Sequence, residues 1–349
     1  MRRSRSRPAR AAVLLPALLA LACAGSAVPA RAGLLNLYGG DNVGTGGAAF
    51  MRIPVGARSV AMGQAYVANA IDGSAVFWNP AGMLRTTGRQ NLFLSHVSYT
   101  AGIDLDYASV HWRGQNYGYG LIAGALRSGE IPRTTEMFQE GTGTTFRADQ
   151  YFFGLALARA MTDHFSLGGT AKFYQENLDE FEIRSFLFDF GMLYYVDAAD
   201  LRIGFAVRNF GSDLRPSGTP PSIPGFEPES NFQSFPPPTS GTFGVARTFM
   251  LGRGLDLLAT ADFNHPSDFS ESFRFGSELG LNRVLFLRAG YETNRDAGGF
   301  ATGFGVRLVR DSFDLRLDYA LSDMGAFGTI HHISIDFSPL SHPARRTWE

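Results

Sequence analysis

From residue 91 onward, apolar and polar side chains change places at every second position through one segment after another, the period of an extended strand with two unlike faces. In the segment 312–321, Phe313, Leu315, Leu317, Tyr319 and Leu321 share one face and Asp314, Arg316 and Asp318 the other. In 254–264, Leu255, Leu257, Ala259, Ala261 and Phe263 stand against Asp256, Thr260 and Asp262. The same division sets Phe165, Leu167, Ala171 and Phe173 against Ser166, Thr170 and Lys172, and Phe273, Phe275, Leu279 and Leu281 against Arg274 and Glu278. Fourteen segments read as strands: 91–99, 106–113, 116–127, 146–160, 163–176, 182–196, 200–208, 240–249, 254–264, 271–281, 283–292, 300–309, 312–321 and 328–337. Most are close to the roughly ten residues that a tilted strand needs to cross a bilayer. An even number suits a closed, single-chain antiparallel barrel.

Alternation alone would also fit a soluble sandwich with its charged face in water, and the gaps separate the two. After even-numbered segments they are tight: Gly114-Gln115, Met161-Thr162, Asp197-Ala198-Ala199, 250–253, Asn282 and Arg310-Asp311. After odd-numbered segments they are longer, with two long stretches at 128–145 and 209–239. Short periplasmic turns alternating with longer outer loops mark an outer-membrane barrel. An Arg or Lys facing lipid at mid-bilayer costs about 2–4 kcal/mol. The charged rows, Asp262, Arg274, Glu278, Arg288, Arg307, Asp314, Arg316 and Asp318, are therefore expected to face the lumen.

Ahead of the strands, 49–83 is rich in Gly, Ala and small polar residues and has no period of two. Its spacing predicts a short helix over Gly56–Ala70, with Val60, Ala61, Gln64, Ala65 and Ala68 at helical intervals. A second helix is expected to start at Asn79, a good N-cap, with Pro80 at the first helical position. A compact, partly helical segment before a run of strands reads as a hatch inside a barrel. Arg58 and Asp72 are its candidates for pairing with the lumen charges.

Three motifs here carry a resemblance: Gly56-Ala57-Arg58, Met62-Gly63-Gln64-Ala65-Tyr66-Val67-Ala68, and Trp78-Asn79-Pro80-Ala81-Gly82. In this order they resemble the N-terminal hatch of the PorV/PorQ family of outer-membrane proteins, part of the wider group built like the FadL fatty-acid transporter. The resemblance implies a fourteen-stranded barrel around the hatch. For function it implies a non-enzymatic accessory of type IX protein secretion, binding or shuttling exported proteins at the cell surface. The FadL likeness implies an alternative, a transporter of hydrophobic small molecules whose ligand passes a hatch kink and a lateral wall opening. Of the motif residues, Gly63 and Gly82 are expected to serve close packing, Asn79-Pro80 a turn and Trp78 space-filling, rather than ligand contact. An apolar pocket between hatch and wall would favour transport, and a lumen packed shut beneath an exposed aromatic outer loop would favour secretion.

Composition narrows this further. A basic start, an apolar run over 11–24 and Ala30-Arg31-Ala32 form a Sec-type signal peptide over 1–32. Arg2-Arg3 lacks the apolar residues that follow a twin-arginine signal, and Cys23 has Ala20 where a lipoprotein signal wants Leu. Cleavage after Ala32 leaves no cysteine, hence neither disulfides nor thiol chemistry. Beyond the signal, no run of 18 apolar residues could form a transmembrane helix. A hydrophobic fraction of 45% with 30 Phe and 12 Tyr suits alternating strands with aromatic girdles. A net charge of −1 gives no argument for nucleic-acid binding.

Candidate chemistry is sparse. Ser95-His96 as nucleophile and base, and His331-His332 as a metal pair, fail alike, because adjacent strand residues point to opposite faces. Gly44-Thr45-Gly46-Gly47 lacks the Lys and the preceding strand of a phosphate loop. The 209–239 stretch interleaves Pro216, Pro220, Pro221, Pro224, Pro228 and Pro236-Pro237-Pro238 with Phe210, Phe226, Phe232 and Phe235, a stiff and sticky candidate for a lid or docking surface. Phe337 ends the last strand as barrel assembly signals do, although 338–349 follow it. The reading is thus a signal peptide (1–32), leader and hatch (33–90), outer-membrane barrel (91–337) and periplasmic tail (338–349), with no cofactor, metal or catalytic residue. Its expected partners are outer-membrane lipid and either secreted proteins with a translocon or a hydrophobic ligand.

Overall fold

The computed structural model describes residues 43–99, 102–218, 232–295 and 298–340. The signal segment, the start of the leader, the prolines and phenylalanine between 219 and 231, and the tail from 341 lie outside the described residues. Fourteen antiparallel strands close into a barrel. They are β1 Gln90–Ser98, β2 Asp104–Arg113, β3 Tyr117–Arg127, β4 Ala148–Ala160, β5 Phe165–Leu178, β6 Phe181–Val196, β7 Leu201–Gly211, β8 Ser240–Gly252, β9 Leu255–Pro266, β10 Ser272–Leu281, β11 Leu285–Glu292, β12 Phe300–Val309, β13 Phe313–Asp323 and β14 Thr329–Pro339. Every segment read from the alternation is one of these strands. Each pairs with its sequence neighbours, and β1 meets β14 to close the ring, from Leu92 opposite Phe337 to Ser98 opposite His331.

The two faces separate as the alternation requires. Leu92, Leu94, Leu121, Phe153, Leu155, Phe186, Phe275, Leu287, Phe304 and Ile333 all point outward and are exposed. Such a continuous apolar belt would be an aggregation liability in water and is the surface that hydrocarbon accepts. The inward face carries the polar rows, which are buried because the hatch fills the lumen.

The turns after even-numbered strands are short, as expected. One odd connection departs from the expected pattern: β5 and β6 are joined by Asp179-Glu180 alone. Asp179 adopts a positive φ of 55°, which a two-residue hairpin demands, and the 14 and 16 residues of these strands make them the longest of the wall.

The hatch consists of short pieces: a 3-10 turn at Ala49–Arg52, α1 Ala57–Ala61, α2 Ala75–Trp78 and a 3-10 helix at Pro80–Arg85. The helix expected over Gly56–Ala70 stops after Ala61, because Gly63 and Gln64 turn left-handed, with φ of 60° and 63°. A short Ala/Gly helix is marginal by itself, and here backbone contact with the wall overrides it. A Cβ on Gly63 would lie 2.4 Å from the Tyr291 nitrogen, and one on Gly290 only 1.9 Å from the Gly63 nitrogen. The second helix starts where expected: Asn79 Oδ1 accepts the Ala81 amide at 3.2 Å, with Pro80 in the first turn.

Replacing Gly290 by Val therefore pushes the hatch off the wall without touching any charge. Overpacking costs about 1–3 kcal/mol where neighbours can yield, and backbone atoms yield little. The variant should still show the heat-dependent gel mobility of a folded barrel while limited proteolysis cuts between residues 60 and 70. Cleavage no faster than in the unmodified protein would contradict this contact.

Candidate functional site

The wall supplies the partners that the hatch backbone lacks. The first amides of α1 have no side-chain cap of their own. Ser95 Oγ accepts from Gly56 N at 3.2 Å and Ser334 Oγ from Ala57 N at 3.1 Å. Asp262 Oδ2 takes two consecutive amides, Tyr66 N at 2.7 Å and Val67 N at 2.9 Å. Asn79 Nδ2 donates to Val67 O and, across to β6, to Met192 O, both at 2.9 Å. Ser166 Oγ donates to Ala81 O at 3.1 Å, and Trp78 Nε1 to Val55 O at 2.9 Å. Met62 is fully buried, and Gly82 packs so closely on the Ala70 carbonyl that a Cβ would lie 1.7 Å from it.

Arg58 is the hub of a buried charge network. Its Nε and Nη2 grip Glu278 with both carboxylate oxygens, at 2.8 and 2.7 Å, and Nη1 reaches Asp72 Oδ2 and Tyr66 OH, both at 3.1 Å. Such two-point arginine–carboxylate pairs are the strong, geometrically specific kind. Arg316 joins from β13, donating to Asp72 at 2.6 Å, Asp318 at 3.0 Å and Asp336 at 3.1 Å. Arg288 bridges Glu278 and Asp318. Burial alone would raise the Asp72 carboxyl, but Arg316 and Arg58 hold it well below the usual carboxylate range.

Of the lumen charges read from sequence, Glu278, Arg288, Arg316 and Asp318 thus meet Arg58 and Asp72, while Asp262 binds hatch amides. Arg274 lies apart, paired with Glu292 at 2.7 Å. Arg307 and Asp314 pair with each other beside the β12–β13 turn. Ser95 and His96 diverge, Ser95 into the hatch and His96 outward to Asp106 at 2.8 Å. His331 faces out to Tyr319 OH at 2.6 Å, and His332 faces in, with Ser322 at 3.0 Å. Among the described residues, no three His, Cys, Asp or Glu side chains converge as a metal site.

One feature escapes the alternation. Between β6 and β7 the register slips, Phe188 facing Phe210 but Phe190 facing Val207, so that Arg208 and Asn209 together oppose Asp189. Asn209 has a φ of 57°, and both consecutive side chains turn inward. Strict period two would have sent one of them to lipid. The available signal was the parity of Arg202 and Arg208, which share the inward face of β7. Arg208 lies over the rings of Trp78, at 4.8 Å, and Phe77, at 5.2 Å. Asn209 ties the wall to Met51 O of the hatch and Pro238 O of the long loop, both at 3.4 Å.

Above this bulge a cavity of about 310 Å³ lies between hatch and wall. Met51, Pro54, Phe269 and Met324 give it apolar surface, and Arg52, Arg208, Arg274 and Arg295 give it charge. The β3–β4 ladder runs unbroken from Tyr117–Arg159 to Leu126–Gln150. The described part of the long loop packs down, with Phe232 on Phe181 at 5.5 Å and Pro236 O accepting Gly47 N at 3.0 Å.

No protein-family model and no curated protein matches the chain. Solved structures do. The toluene transporter TodX of Pseudomonas putida superposes with a TM-score of 0.56 at 12% identity, over 83% of this chain and 99% of its own. The toluene transporter TbuX of Ralstonia pickettii superposes with a TM-score of 0.51 at 13% identity, over 83% and 98%. At these identities the likeness is one of fold.

The network predicts a large effect from a single truncation. Removing one partner of a buried ion pair costs about 3–5 kcal/mol, because the other charge stays buried. Arg58→Met should lower the unfolding temperature markedly in detergent, whereas Arg310→Met on an exposed turn should leave it unchanged. Equal melting of the two variants would mean that the network does not hold the hatch.

Proposed function

We propose that the protein is an integral outer-membrane barrel, exported by a Sec-type signal at 1–32, that transports a small hydrophobic molecule in the FadL-like manner. The cavity between hatch and wall carries this reading: at about 310 Å³ it is of the size that encloses one small ligand, typical sites spanning roughly 300–1,000 Å³. The apolar pocket expected of a transporter is present on one side of the cavity only, the other side carrying four arginines. The two superposed structures are both named as toluene transporters, which adds support at the level of fold. Because the β3–β4 ladder is continuous, the proposed route enters from the outer loops rather than through that part of the wall.

A PorV/PorQ-like role in type IX secretion is the second reading, favoured by the three hatch motifs and by one surface. Met137 and Phe138, at the tip of the β3–β4 loop, are 87% and 59% exposed. Exposed apolar tips of this kind suit protein docking. The described part of the proline-rich loop instead packs on its own barrel, which favours a lid over a docking surface.

Deleting the gene from its host separates the two. Transport predicts slower uptake of a labelled monoaromatic hydrocarbon by intact cells, restored by the unmodified gene, with surface-anchored proteins unchanged. Unchanged uptake together with loss of surface-anchored proteins, reproduced by Met137→Ser/Phe138→Ser, would overturn transport in favour of secretion.

A further inference from the structure

Among the described residues Arg208 is a buried charge with no ion pair and no hydrogen bond of its own. It is 8% exposed, and its guanidinium makes only the ring contacts with Trp78 and Phe77. A guanidinium has five donors to satisfy, and Arg208 lines the cavity with them. The carboxylates around it bond other groups, Asp189 and Asp262 through one oxygen each, leaving Asp189 Oδ2 and Asp262 Oδ1 without a hydrogen bond among the described residues. Asp189 takes Lys172 at 2.7 Å and the Asn209 amide at 2.8 Å, and Asp262 takes the hatch amides. Glu292 takes Arg274, Ser272, Gln64 and Arg295, and Asp268 takes Arg52.

The same cavity receives Arg274, 7% exposed, whose Nη1 has no hydrogen-bond partner. Four arginines line the space, and Glu292, Asp268 behind Arg52 and Asp262, whose amide partners carry no charge, leave an excess of one positive charge. Like charges converging on one cavity repel. The bulge at Asn209 is what aims Arg208 there, and bulges recur where a strand re-aims a side chain toward a site.

We infer that the cavity above the hatch binds an oxyanion of the phosphate or sulfate class, with Arg208 and Arg274 as its direct donors. Arginine's planar fork suits two-point contact with such a group. Guanidinium donors without protein acceptors suit an anionic group, and the apolar side of the cavity leaves room for a hydrophobic body beside it, so the site selects among the hydrophobic ligands of the transport reading. This takes the cavity to be a ligand site, as the transport reading does, but does not require that the ligand cross the membrane.

Calorimetric titration of the full mature protein in non-ionic detergent tests it, with inorganic phosphate, sulfate and hexyl phosphate as probes and chloride at matched ionic strength as control. Substituting Trp112→Phe and Trp348→Phe leaves Trp78 as the only tryptophan, and its emission gives a second readout beneath Arg208. Saturable binding of phosphate or sulfate is expected, weakened at least tenfold by Arg208→Gln and by Arg274→Gln, and absent with chloride. Equal affinity for inorganic and hexyl phosphate would identify a free anion, and tighter binding of hexyl phosphate the head of an amphiphile. Because Arg208 bonds no protein acceptor, Arg208→Gln should keep the heat-dependent gel mobility of the native barrel. No saturable binding by any probe, or binding unchanged in a folded Arg208→Gln, overturns the inference. Binding without an uptake defect in deleted cells would sink transport alone, and an uptake defect without binding would sink the anion site alone.

Discussion

Irregular backbone can sit at membrane depth only where each buried N–H and C=O finds a partner, and this barrel meets that requirement with wall side chains. Asp262 and Asp336 accept the amides of Tyr66, Val67 and Gly73, while Ser95 and Ser334 accept those that open α1. Ser109 and Ser166 donate to the carbonyls of Gly73 and Ala81. The polar rows of the strands are therefore not a water-filled channel lining but the counterpart of the hatch. Turning them outward would both expose charge to lipid and strand the hatch backbone.

The same constraint shapes what can move. Around Arg58 the hatch is held by ion pairs from Arg58 to Glu278 on β10 and from Asp72 to Arg316 on β13, which wall pairs extend to β11 and β14, and breaking either hatch pair would leave a buried charge behind. Withdrawing the whole hatch would break both together. Above it, toward the outer loops, the contacts are fewer: the bulge, the Met51 turn and the return of the long loop enclose a cavity instead of a packed interface. On the proposed reading a ligand meets this upper part, while the ion pairs secure the lower one.

What was legible in the sequence follows from which forces act locally. Strands of period two with tight even turns announced the wall and its count, because lipid on one side and charge on the other leave a mark at each position. The lumen charges were legible for the same reason, through the cost of facing Arg274, Arg288 or Arg316 to hydrocarbon. The helix over Gly56–Ala70 was overestimated, since the contact between Gly63 and Gly290 joins residues far apart in the chain and leaves no local periodicity. Arg208 and Asn209 were hidden by a bulge that breaks the rule used to read the rest. The two-residue β5–β6 turn lay within a gap that alternation alone made too wide. The hatch motifs resembled a family without fixing a function, as their residues Gly63, Asn79 and Ala81 are occupied with wall contacts.

Hatch and wall are thus one folded unit, joined by side chains of the wall. Amide hydrogen exchange of the protein in lipid nanodiscs tests it most directly, at Tyr66 and Val67, whose N–H groups the structure assigns to Asp262. These amides, though outside any helix or strand, should exchange as slowly as those of the neighbouring wall strand β9, and Asp262→Ala should accelerate both while β9 stays protected. Rapid exchange at Tyr66 and Val67 in the unmodified protein would show a hatch that opens independently of the wall, and would contradict it.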